Sequence, residues 1–386
     1  MWRFSPHEIR FALIVAVIVV WIGTVAVVFI RQPIPGGDFM VFYSFGELAM
    51  RGDWARQYDW ASFHALQVSL VPQSTEYTYP PTYPPLVPAL YVPFAMLPFA
   101  AAVVAWLVSS TALYICLVAI ASQAWRGASR FHLVLASLVF PPFIAHQALG
   151  QSTIWPLIGF VGGWWALSRG RSLLAGMVLS LVAIKPHLGV ALAIVVLATR
   201  SWRVIAGIGL GCGAQALLTL TICGPEAIAA YVRTTVLVLR NPMLIDPTDP
   251  RHTHALRTSI EQLVGSTPAT IVWLAVSTLV AWLTITVWQK SREWTLCLAA
   301  LLLATLLISP HVQTYDAVLL APATLWIAHW ALANDRKHML LELAVLSVIF
   351  LIPRARIGGV PLTIPLMFWL LWEVSRGGAR ARLVGG

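Results

Sequence analysis

Charge is in short supply along this chain. Asp, Glu, Lys and Arg make up 10% of the 386 residues, and 59% are hydrophobic. Soluble domains carry about 25% charged residues, so a water-soluble enzyme is excluded. Cysteine is scarce as well. Cys116, Cys212, Cys223 and Cys297 are scattered, mostly within apolar runs and with no CxxC pair, which argues against a zinc site or a disulfide framework. Nucleotide signatures are missing too: there is no Walker motif and no GxGxxG following a strand. The first polar stretch holds no DxD or ExD pair, so no tightly held divalent metal and no cofactor are expected. No repeat of fixed period and no separate soluble segment occur, so residues 1–386 read as one integral-membrane domain.

Apolar runs recur along the whole length, the mark of an all-α polytopic membrane protein. The first, Phe11–Ile30, has 20 residues without a charge behind a basic N-terminus. It lacks a small-x-small cleavage site and reads as an uncleaved span. Eleven more runs follow: Ala100–Ala121, Phe131–Ala145, Thr153–Leu167, Ser172–Ile184, Leu188–Ala198, Val204–Ile222, Ala269–Trp288, Trp294–Ile308, Ala317–Leu332, Met339–Ile352 and Leu362–Val374. About 12 spans are therefore expected. The net charge of +10 sits in short loops such as Arg169/Arg171, Arg200/Arg203 and Lys290/Arg292, where it sets topology and implies no nucleic-acid partner. Both termini fall in the cytoplasm, in a multi-pass inner (plasma) membrane protein. Two outer loops result, about 31–99 and 223–268, the second opening with an expected helix over Pro225–Arg240. The apolar stretch Leu86–Leu97, broken by prolines, reads as an interfacial outer segment. Ser172–Thr199 reads as two short spans with Lys185 at the outer surface. One kinked helix would leave that charge near the bilayer centre, at several kcal/mol.

The first outer loop carries five of the fifteen carboxylates. Asp38 follows Gly36-Gly37 and precedes FMVFYSFGELAM, an expected amphipathic helix at the membrane surface. Two readings of Asp38 balance: an N-cap for that helix and a catalytic base, with the glycines admitting a ligand close to the backbone. Tyr79 and Tyr83 lie in a rigid Tyr-Pro-Pro repeat that suits either a sugar-pocket wall or a membrane-interface belt. Lys185 and His187 flank Pro186. A lysine there suits a phosphate, and its bland reading is a snorkelling side chain. Gln151, His311 and Asp316 occupy polar breaks on the same side. Asp316 also suits a cap for the helix starting at Ala317, and His146 an interface anchor. His254, Arg257 and Ser259, in the second loop, carry a weaker signal as substrate-binding candidates. A transporter or lipid flippase is the rival class. It predicts ionisable groups near span centres and matched halves, and neither is visible here.

Taken in order, these residues resemble glycosyltransferase family 87. The resemblance rests on Asp38 after the first span, the closing Tyr-Pro-Pro, Gly150-Gln151, Lys185-Pro186 and Ser309-Pro310-His311. It implies a GT-C fold and a polyprenyl-phosphate sugar donor, usually mannose, with a lipid-linked or extracytoplasmic glycan as acceptor. It further implies inverting transfer with Asp38 as general base and no metal. Lys185 and His187 would hold the donor phosphate, and His311 would assist in substrate binding. His-Val-Gln-Thr-Tyr-Asp after the late Ser-Pro, and Arg257-Thr258-Ser259 in the second loop, depart from the family pattern where the acceptor would bind.

Overall fold

Apolar backbone in a medium without water pairs its N–H and C=O groups internally, which makes the helix the default for each run. The computed structural model describes residues 6–76, 81–125, 127–241, 253–352 and 355–380. About 80% of the chain is helical. It is an all-α membrane protein. Among the described residues one short hairpin pairs Arg356–Ile357 with Val360–Pro361.

Helix α1 (Pro6–Ala26) runs on through a π turn, Val27–Arg31. The first loop then supplies α2 (Phe39–Met50), α3 (Trp60–Leu70) and the single turn α4 (Val92–Ala95). Helices α5 (Phe99–Ala121), α6 (Arg130–Leu138), α7 (Pro141–Ala148) and α8 (Ile154–Leu167) follow. Next come α9 (Ser172–Leu179), α10 (Val190–Ala198), α11 (Trp202–Leu218) and α12 (Gly224–Arg240). The last six are α13 (Leu256–Val264), α14 (Ser266–Lys290), α15 (Trp294–Ile308), α16 (Leu320–Ala333), α17 (His338–Ile349) and α18 (Thr363–Arg380).

Five helices among the described residues are long and apolar enough to cross a membrane, and six if the α6–α7 pair, bent by 54°, counts as one. The other apolar runs are helical but shorter, such as α15 with 15 residues. That helix rises about 22 Å against a hydrocarbon core of about 30 Å. Every residue of α15 from Leu296 to Ile308 is buried. A helix apolar all round belongs at the centre of a bundle, and α14, α16 and α18 pack around it. Phe11 and Ile22 on α1 and Ile271 on α14 point outward instead, as side chains facing lipid do.

Helix α2 was expected to lie amphipathic on the surface. Ten of its twelve residues are buried, because apolar residues occupy every face of it and the Val87–Ala95 segment packs over it. Phe42 stacks on Tyr91 at 4.8 Å and Phe39 on Trp106 at 5.8 Å. Gly46 lets the Val87–Ala95 segment close on it: a Cβ there would meet the Tyr91 carbonyl oxygen at 2.6 Å.

Candidate active site

Two glycine turns build the centre. Gly36 and Gly37 both adopt positive φ, 75° and 54°, which turns the chain from the end of the first span into α2. Gly150 (φ 59°) docks on that turn, where a Cβ would come within 2.6 Å of the Gly36 carbonyl oxygen. The docking holds the next residue, Gln151, against Asp38, and its Nε2 donates to the Asp38 carboxylate. Asp38 makes no capping bond to α2. Of its two readings the cap therefore fails, and the carboxylate turns to Gln151.

The other end of the same amide meets a cation. Lys185 Nζ donates to Gln151 Oε1 at 3.4 Å, to Thr153 Oγ1 at 2.9 Å and to Asp316 Oδ1 at 2.9 Å. Charge orients the amide, since NH₂ faces a carboxylate and C=O faces an ammonium. A break between two 3-10 turns, Ser180–Ile184 and Pro186–Gly189, positions Lys185. The kinked-helix alternative is not what forms. The lysine was expected at the outer surface, yet it is only 4% exposed. Burial is tolerated because all three ammonium hydrogens have acceptors, and its Nζ also lies 4.9 Å from the Tyr315 ring centre.

Asp316 was read as a cap and is more than that. It reciprocates with Gln313 around the turn Thr314–Leu319, and Gln313 N donates to its Oδ2 at 3.1 Å. Its Oδ1 accepts from Lys185 and, at 2.7 Å, from Thr153. Segments from the first loop, the α7–α8 corner, the α9–α10 break and the late polar turn thus meet through one chain of side chains: Asp38, Gln151, Lys185, Asp316.

Tyr83 stands beside this chain, with its hydroxyl 3.1 Å from Ser152 Oγ and its carbonyl accepting from the Tyr58 hydroxyl at 2.7 Å. Tyr79 lies outside the described residues. His187 meets His311 edge to face, with centroids 6.0 Å apart. The second-loop candidates take other roles. His254 is clamped between Thr363 (2.8 Å) and Thr314 (3.1 Å), and its backbone N–H donates to Val312 O at 2.8 Å. Ser259 donates to Ala255 O in its own helix at 2.8 Å, and Arg257 lies over the Trp273 ring at 5.9 Å. His254 thus fastens the second loop to the late turn, while Ser259 bonds locally at the start of α13 and Arg257 lies against α14. His146, read as an interface anchor, is fully buried on α7, which packs on the Asp316 turn. Thr153 was not anticipated. Its only sequence signal is its place two residues after Gln151.

Burial pushes the Asp38 carboxyl up from 3.8 to about 6, against the Gln151 hydrogen bond and the Lys185 charge, which both pull it down. A carboxylate that is ionised at neutral pH yet basic enough to take a proton is what general-base chemistry needs. Among the described residues no three His, Cys, Asp or Glu side chains gather as a metal site.

A family model, glycosyltransferase family 87, matches residues 82–310, well over half of the chain. The chain belongs to glycosyltransferase family 87. It is a membrane glycosyltransferase. The match takes in Tyr83, Gln151 and Lys185, stops one residue before His311, and leaves Asp38 outside. No curated protein and no solved structure matches significantly.

The docking at Gly150 gives a direct test. Gly150→Ala is expected to destabilise the enzyme by more than about 1 kcal/mol, because alanine is strained at positive φ, and to cut transfer by displacing Gln151. Gly52→Ala is the control. It shares the positive φ (73°) but has nothing within 4 Å of its added Cβ, so transfer should be untouched. Denaturation midpoints and initial rates on the two variants check both statements.

Proposed function

We propose that this family 87 member moves a hexose, mannose by the family resemblance, from a polyprenyl-phosphate donor to a lipid-linked or extracytoplasmic glycan. The reading includes a GT-C architecture of about 12 spans in the plasma membrane, as a single domain over 1–386. Both termini lie in the cytoplasm and the site opens on the outer side. The observation that carries it is Asp38, released from capping and wired through Gln151 to a buried lysine.

In this mechanism the Asp38 carboxylate takes the proton of an acceptor hydroxyl. The resulting oxygen attacks the anomeric carbon, and the bond from that carbon to the phosphate oxygen breaks with its electron pair leaving on phosphate. Attack opposite the leaving group inverts the centre, so a β-linked donor gives an α-linked product. Lys185 stabilises the charge growing on the phosphate, and fixed charge aimed at a developing anion is among the larger catalytic effects. Of its three contacts the one to Gln151, at 3.4 Å, is longest, and a phosphate oxygen replaces that acceptor. His187, His311 and Tyr83 border the sugar.

Membranes containing the protein are to be given radiolabelled polyprenyl-phosphate mannose or a nucleotide-linked mannose, each with an extracted lipid-glycan acceptor. Label is expected in the acceptor, α-linked, from the lipid donor only. Transfer from the nucleotide sugar alone would overturn the donor assignment.

A further inference from the structure

At the end of α9 remote from Lys185 lies a cleft of about 650 Å³ between α9 and α11. Fourteen positions of nearly continuous helix separate Arg171 from Lys185, roughly 20 Å at 1.5 Å per residue, so the cleft is no part of the site above. Glycines create it. Gly176 on α9 and Gly207 on α11 approach so closely that a Cβ on either would sit 2.8 Å from the other's Cα. Small residues of this kind bring membrane helices to near backbone contact. The two helices run side by side in the same direction, with Gly207 against Leu173 and Gly211 against Ser180.

What lines the opening is two-sided. Arg171 and Arg203 stand at the mouth, and among the described residues neither guanidinium has a hydrogen-bond or ion-pair partner. No carboxylate lines the cleft. The starts of α9 and α11 also meet here, bringing together the positive ends of two helix dipoles. The remaining wall is apolar and outward-facing: Leu173, Met177 and Trp202, the last 66% exposed. Two cations over a greasy wall fit a molecule with a phosphate at one end and hydrocarbon at the other. A free anion uses only the first half. A neutral lipid uses only the second.

We propose that this cleft binds the phosphate headgroup of an anionic phospholipid, with the first part of an acyl chain lying along Leu173, Met177 and Trp202. Juxtamembrane arginines attract anionic lipid headgroups, and a guanidinium holds phosphate through two parallel hydrogen bonds.

The test uses the full chain in phosphatidylcholine nanodiscs doped with phosphatidylglycerol, with retained lipid counted by native mass spectrometry. The wild type is expected to keep one phosphatidylglycerol. The double variant Arg171→Gln/Arg203→Gln should hold it at least tenfold more weakly, while Arg130→Gln, at an exposed arginine elsewhere, should not change it. Trp202→Ala should weaken retention as well, and inorganic phosphate should not displace the lipid. Unaltered retention in a double variant of unchanged helix content would overturn the proposal. So would displacement by phosphate alone, which would make the cleft a simple anion site.

Discussion

Asp38→Asn is expected to lower sugar transfer about 10²–10⁴-fold, the range a positioned general base contributes, while leaving the protein folded. Asparagine keeps the size and can still accept from Gln151 Nε2, so the turn at Gly36-Gly37 loses no contact. Stability should not fall, and the sign follows from linkage. A carboxyl raised from 3.8 to about 6 binds more protons folded than unfolded between those values, so folding loses stability as pH rises through that window. The neutral asparagine never carries that cost. Activity runs the opposite way with pH. The wild-type rate should climb as pH rises to about 6, where the base becomes ionised, and level off above. Gln151→Leu removes a hydrogen bond that lowers the Asp38 value, so its acid limb should move to higher pH. Rates from pH 4.5 to 8 on the three proteins decide the matter. Full transfer by a folded Asp38→Asn enzyme would remove Asp38 from the chemistry.

Which parts of this centre can be read from residue order follows from the range of the forces involved. Gly36-Gly37-Asp38, Gly150-Gln151, Lys185-Pro186 and Ser309-Pro310 announce themselves locally, because glycine and proline mark where apolar helices must break. That four such breaks converge is also legible, since sparse polar groups in a greasy chain have few places to go. What pairs with what is not. Asp316 lies 131 positions from Lys185, and nothing local in either residue names the other. Asp316 looks like a cap for a helix starting at Ala317. The turn starts at Thr314 instead, with Gln313 as its cap and Asp316 answering from the third position. Its second oxygen carries the ion pair, which a one-role reading misses. His254 and Ser259 look like loop polarity available to a ligand, and contacts to Thr363, Thr314 and Ala255 consume them instead. Helix α2 misleads for a related reason. Its pattern suits an interface, and its burial comes from the Val87–Ala95 segment more than forty residues away. The helix count is the weakest reading of all. Hydrophobic length says that a run will be helical. Whether a 15-residue helix reaches both faces of a bilayer depends on neighbours that shield its ends.

Lys185 poses the sharper question, because a buried ion pair can be scaffold, catalyst or both. Lys185→Met should destabilise the enzyme by about 3–5 kcal/mol, since it leaves the Asp316 carboxylate, 1% exposed, without its cation in a dry interior. Asp316→Leu alone should cost a similar amount by stranding the ammonium. Combined, the two substitutions remove both charges together, and replacing a buried pair with apolar groups is often neutral or better. The double variant should therefore recover most of the loss, measured as unfolding midpoints in detergent. Thr153 then keeps only its hydroxyl to satisfy, a smaller penalty of about 1–3 kcal/mol. Transfer should not recover with it. If Lys185 stabilises the departing phosphate, a stable double variant still lacks that charge and should remain at least a hundredfold slow, with donor turnover affected even at saturating acceptor. A double variant that is stable and also active would reduce Lys185 to a strut that fixes Gln151. The phosphate contact would then have to be sought at His187 and His311.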